Sequence, residues 1–132
     1  MRYMFDTNVV SHLLKAHPAV VKRVTATPMA SLCISAITEG ELLFGLAKRP
    51  AARKLHAAVL EFLKRVDVLP WDSGAAERYG TLRALMETQG QPLAPLDMLI
   101  GAHAVSVGAV LVTNDQAFQK ISDLQREDWT RD

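Results

Sequence analysis

Four acidic residues, Asp6, Glu41, Asp97 and Asp115, stand inside or at the edge of apolar segments, where solvation alone does not require a carboxylate. Asp6 follows Tyr3-Met4-Phe5, and Asp115 follows Val110-Leu111-Val112-Thr113-Asn114. Glu41 and Asp97 lie in largely apolar, helix-like stretches. Gathered at one place, the four form an oxygen-only nest for a hard divalent cation, Mg²⁺ or Mn²⁺ rather than zinc. Crowded carboxylates raise one another's pKa values, and a cation removes that conflict. His12, His17, His56 and His103 are spread out and Cys33 stands alone, so no softer ligand set competes. Such a nest orients a phosphodiester and activates water, with one or two metals sharing the load. Each acid also has a plainer reading. Asp6 and Asp115 suit turns or helix caps, Asp97 suits a helix dipole, and helical phase does not separate Glu41 from Glu39.

The elements must therefore do the gathering. Residues 2–5 read as a strand stopped by the cap triplet Asp6-Thr7-Asn8, with helical character from Val9 to Lys15 and a second helix from Pro18 to about Thr25. Leu32-Cys33-Ile34 is a second strand, and Ser35 with Thr38 and Glu39 gives a capping-box-like start to a helix reaching about Ala47. Residues 51–64 repeat apolar positions at helical spacing, and residues 66–69 form a third strand ended by Pro70. Asp72 or Ser73 caps a helix to about Thr88, Pro95 starts another through Val107, and Gly108 stops it. Residues 110–112 are a fourth strand, with a short helix from about Gln116. Strands alternating with helices predict an α/β domain on a mostly parallel sheet. In such sheets sites form beyond the carboxyl ends of the strands, where strand order reverses. The first and fourth strands belong side by side at the centre, which brings Asp6 and Asp115 to one rim, within reach of Glu41 and Asp97.

At 132 residues, 49% hydrophobic and 22% charged, the chain suits one domain, residues 1–132, with a core of its own. Its apolar runs are far short of a membrane span, no signal-peptide pattern opens it, and a single cysteine points to a reducing, cytoplasmic setting. The net charge of +1 argues neither for nor against a nucleic-acid partner. Residues 48–65 nevertheless carry six basic side chains against Glu61, and Arg49, Arg53 and Lys54 are candidates for RNA contact beside the plainer reading of a solvated face. Val9, Val10, Leu13, Leu14, Val20, Val21 and Val24 serve either as ordinary core or as a groove or dimer seam.

Across Met4-Phe5-Asp6-Thr7-Asn8, Ile34-Ser35 through Glu41-Leu42-Leu43-Phe44-Gly45, Pro95-Leu96-Asp97 through Ala104, and Leu111-Val112-Thr113-Asn114-Asp115, the chain resembles the PIN-domain family, and within it the VapC toxins of bacterial toxin–antitoxin pairs. The resemblance keeps the motif order and spans nearly the whole chain. It implies a three-layer α/β/α sandwich with a central, mostly parallel sheet of four or five strands. It implies a Mg²⁺- or Mn²⁺-dependent endoribonuclease neutralised by a VapB-like antitoxin, and a homodimer. It assigns metal and catalytic roles to Asp6, Glu41, Asp97 and Asp115, prefers Glu41 over Glu39, and gives Thr7, Asn8 and Thr113 supporting hydrogen bonds. The ending with Asp123-Leu124 and Glu127-Asp128-Trp129 is similar to a branch that cleaves tRNA. Two positions depart from the family pattern: Gly101 replaces a frequent alanine, and Ala94-Pro95 a commoner Gly-Pro. Rival readings are a PIN-like binding module and a phosphotransfer domain. Against the latter, Asn8 stands where an Asp-x-Asp phosphatase needs its second aspartate, and Thr113-Asn114-Asp115 lacks a receiver's lysine.

Overall fold

A computed structural model describes residues 1–131. The chain runs β1 (Tyr3–Phe5), α1 (Thr7–Leu14), α2 (Pro18–Thr25), β2 (Leu32–Ser35), α3 (Ala36–Ala47), α4 (Arg53–Arg65), β3 (Asp67–Leu69), α5 (Ser73–Thr88), α6 (Pro95–Val107), β4 (Val110–Val112) and β5 (Arg126–Glu127). The strands form one sheet in the order β3-β2-β1-β4-β5, and every pairing is parallel. From β1 the chain moves outward through β2 to β3, then returns to place β4 on the other side of β1. Strand order therefore reverses between β1 and β4.

Alternation along the strands divides the core between two faces. Met4, Cys33 and Leu111 pack with Leu82, Met86, Met98 and Ile100, beneath α5 and α6. Phe5, Leu32, Ile34 and Val112 pack with Val9, Val10, Val20, Leu42, Leu46 and Val59, beneath α1 to α4. The result is the three-layer sandwich expected, with five strands. Most of the apolar residues of the first two helices are consumed here: Val9, Val10 and Val20 are buried, and Leu13, Leu14 and Val24 pack against them, while Val21 is half-buried outside this cluster. Ordinary core accounts for most of that apolar surplus, with Leu14 also lining a surface cleft.

Several local expectations shift. Asp6 caps α1 directly, so that helix begins at Thr7 and not Val9. At α3, Ser35 accepts from Ile37 N–H, and Thr38 is buried with its hydroxyl unpaired, so the reciprocal half of a capping box is not made. The short helix expected after Asp115 is present, in 3-10 form, over Gln116–Lys120. Among the described residues no helix is long and apolar enough to cross a membrane.

Candidate active site

Asp6 leaves the C-terminal end of β1 as the N-cap of α1, 4% exposed. One carboxylate oxygen, Oδ1, accepts Val9 N–H at 3.0 Å, and the other, Oδ2, accepts Thr113 Oγ1–H at 2.5 Å. Thr113 follows β4, and its hydroxyl oxygen also accepts the Asp115 N–H at 3.0 Å. Asp115 Oδ1 in turn caps the 3-10 turn through Ala117 N–H at 2.9 Å. On the other flank, Thr7 Oγ1 donates to Glu41 Oε1 at 2.6 Å, fixing a side chain two turns into α3. Asp97 sits in the first turn of α6, whose N-cap, Ala94, supplies no side-chain hydrogen bond.

The four acids share one electrostatic neighbourhood. Burial pushes the Asp6 carboxyl above its ordinary value, the bonds from Thr113 and Val9 pull it back, and the charges of Asp115 and Glu41 add to the rise. Asp97 is raised by burial and then by Asp115, Asp6 and Glu41. No hydrogen bond tempers that rise, so Asp97 is the carboxylate with the most to gain from a cation. Among the described residues no three His, Cys, Asp or Glu side chains are drawn into a closed ligand shell. The four acids are nonetheless close enough to interact through their charges. The donor set fits a hard divalent ion: carboxylates and threonine hydroxyls, with lone pairs left on each acid. The imidazoles are engaged elsewhere. His103 pairs with Ser35 Oγ at 2.7 Å, His56 with the Arg49 carbonyl, and His17 meets His12 edge-to-face.

Structure and sequence thus agree on which segments converge, and Glu41, not Glu39, is the α3 acid coupled to Asp6 and Asp97. Of the supporting polar residues, Thr7 and Thr113 bond to the acids. Asn8 is exposed in α1 and bonds to none of them. The two departures from the family pattern have local explanations. A Cβ on Gly101 would lie 2.5 Å from Ile121 Cδ1, so glycine leaves room for that side chain. Ala94 has φ −57° and ψ 146°, ordinary for a residue before proline, so glycine is not needed there.

Beside the acids runs a cleft of about 620 Å³ between α1, α3 and α4. It touches the site through Thr7 and Glu41, while Asp6, Asp97 and Asp115 lie outside its lining. Its floor includes Leu42, Leu46, Leu55 and Val59, and its rim carries Lys15, Lys48, Arg49 and Lys54. Arg49 and Lys54 are thereby brought together. Arg53 is not in the lining; Lys15, far away in sequence, takes its place once α1 packs beside α3.

A PIN-domain model matches residues 3–124. The chain is 35% identical to "tRNA(fMet)-specific endonuclease VapC" of Shigella flexneri over 98% of its own length and 99% of the relative's. Its fold superposes on DNA-bound VapBC from Salmonella typhimurium with a TM-score of 0.91, at 36% identity and 98% coverage of both chains. It superposes on VapBC-1 from nontypeable Haemophilus influenzae with a TM-score of 0.88, at 33% identity over 99% of this chain and 100% of that one. With the strand order, the acid cluster and these full-length likenesses in agreement, the chain belongs to the PIN-domain family, in its VapC branch.

Proposed function

We propose that this protein is a divalent-metal-dependent endoribonuclease toxin of the VapC type, acting as one domain on tRNA, with initiator tRNA the first target to test. The observation that carries the reading is the coupling of Asp6, Glu41, Asp97 and Asp115 at the reversal between β1 and β4, in a chain whose relatives are named VapC ribonucleases. In this reading Asp6, Glu41, Asp97 and Asp115 hold Mg²⁺ or Mn²⁺, which supplies Lewis acidity for phosphodiester hydrolysis. The protein's own part is preorganisation. Thr113 holds Asp6 and, through the Asp115 N–H, the neighbouring acid; Thr7 holds Glu41. Asp97, which accepts no hydrogen bond, would keep its carboxylate oxygens available to the ion. Lys15, Lys48, Arg49 and Lys54 offer phosphate contacts along the approach.

The apolar floor and basic rim of the cleft also suit an amphipathic segment of a VapB-like antitoxin, which would cover the approach to Glu41. A homodimer in the cytoplasm, where tRNA resides, completes the picture. The deciding experiment is sequencing of 5′-phosphate RNA ends after brief expression of wild type and Asp6→Ala. New ends in one or a few tRNAs, absent with Asp6→Ala, are expected. Products ending in 2′,3′-cyclic phosphate, or cleavage that persists in excess EDTA, would sink the metal reading.

A further inference from the structure

Thr113 Oγ1 meets two of the acids' positions at once, donating to Asp6 Oδ2 and accepting the Asp115 N–H. Where Thr113 sits is fixed from the far side of β4, because its own N–H donates to the Glu127 carbonyl of β5 at 3.0 Å. β5 is two residues long, and Arg126 and Glu127 have no apolar side chain to anchor it. Its anchor is a clasp formed by Arg23, Glu127 and Trp129. The Trp129 ring, 1% exposed, packs against Tyr3 at 5.2 Å and Phe5 at 5.3 Å between centroids. Its Nε1–H donates to Glu127 Oε1 at 2.9 Å. The same oxygen accepts Arg23 Nη2–H at 3.0 Å, and the Arg23 guanidinium lies over the indole at 4.9 Å. Phe5, beneath the indole, immediately precedes Asp6.

We propose that the Arg23–Glu127–Trp129 clasp is a positioning element for the acid site, setting Thr113 through the β5 carbonyl and so fixing the Asp6 carboxylate and the Asp115 backbone. The inference rests on the metal reading above and extends it to three residues that touch neither substrate nor ion. Groups that orient a ligand from outside the coordination shell change metal affinity by roughly ten- to a hundredfold. An element acting one step further away belongs at or below the lower end of that range.

The test is Mn²⁺ binding to the full chain by isothermal titration calorimetry, below the unfolding range of every variant, with Asp6→Ala as control. Glu127→Ala is expected to weaken Mn²⁺ binding by about three- to tenfold. Glu127→Gln keeps an acceptor for Trp129 and Arg23 and is expected to recover most of that loss. In a Thr113→Val background Glu127→Ala should have no further effect, since the coupling runs through Thr113. Unchanged Mn²⁺ affinity in Glu127→Ala, whatever its thermal stability, overturns the proposal; so does an equal loss with and without Thr113. Wild-type protein lacking a saturable Mn²⁺ site that Asp6→Ala removes would overturn the metal reading and the clasp together. Wild-type binding indifferent to Glu127 overturns the clasp alone.

Discussion

Asp97 has its folded-state carboxyl raised by burial and by three neighbouring acids, with no hydrogen bond in compensation. A carboxyl raised above its unfolded value favours the fold fully at pH below the ordinary 3.8, and that contribution is lost as pH rises through the folded value. In EDTA at pH 7, Asp97→Asn should therefore melt above wild type. The gap should close as pH falls toward the ordinary carboxylate range, and excess Mg²⁺ should stabilise wild type more than the variant. Thermal melts across pH, with and without Mg²⁺, check both signs. These couplings were only partly legible in sequence. The apolar flanks marked the acids, but the choice of Glu41 over Glu39 depends on which side of α3 meets Thr7, a tertiary fact. Asn8, the second residue of α1, is exposed and bonds to none of the acids, a placement its motif neighbours did not reveal.

At the scale of elements, cap and period signals located α2, α3, α5 and α6 because Pro18, Ser35, Asp72 and Gly108 each act locally. β5 left no such mark. Two charged residues carry no period, and their strand conformation comes from β4 beside them and Trp129 beyond. The break between α1 and α2 was legible from Pro18, but the left-handed φ of 58° at Ala16, which its side chain does not favour, was not. Ala16→Gly should relieve that strain and raise unfolding free energy by about 1 kcal/mol, measured by denaturant titration at unchanged slope. A loss of stability would mean that the Ala16 methyl makes a contact worth more than the strain.

For the molecule as a whole, net charge is silent where its placement is not. The basic rim of the cleft draws on α1, α3 and α4 together, and the basic run at residues 48–65 supplied three of its four charges. If single-stranded RNA lies along it, replacing Lys48 and Arg49 by glutamine removes two phosphate contacts. The slope of log affinity against log salt should then fall by about 1.4, at roughly 0.7 per phosphate. Filter binding of a tRNA to the Asp6→Ala protein over a salt series measures this without cleavage. An unchanged slope would place the RNA elsewhere.

The bond between Thr113 and Asp6 spans 107 positions of sequence, and β1 acquires β4 as a neighbour only after α6 has been made. Contacts of such separation form late and slowly. During synthesis, Asp6 and Glu41 leave the ribosome well before Asp97 and Asp115 exist. On the metal reading proposed above, a growing chain would hold only two of the four acids, and the set would be complete only once β4 docks beside β1.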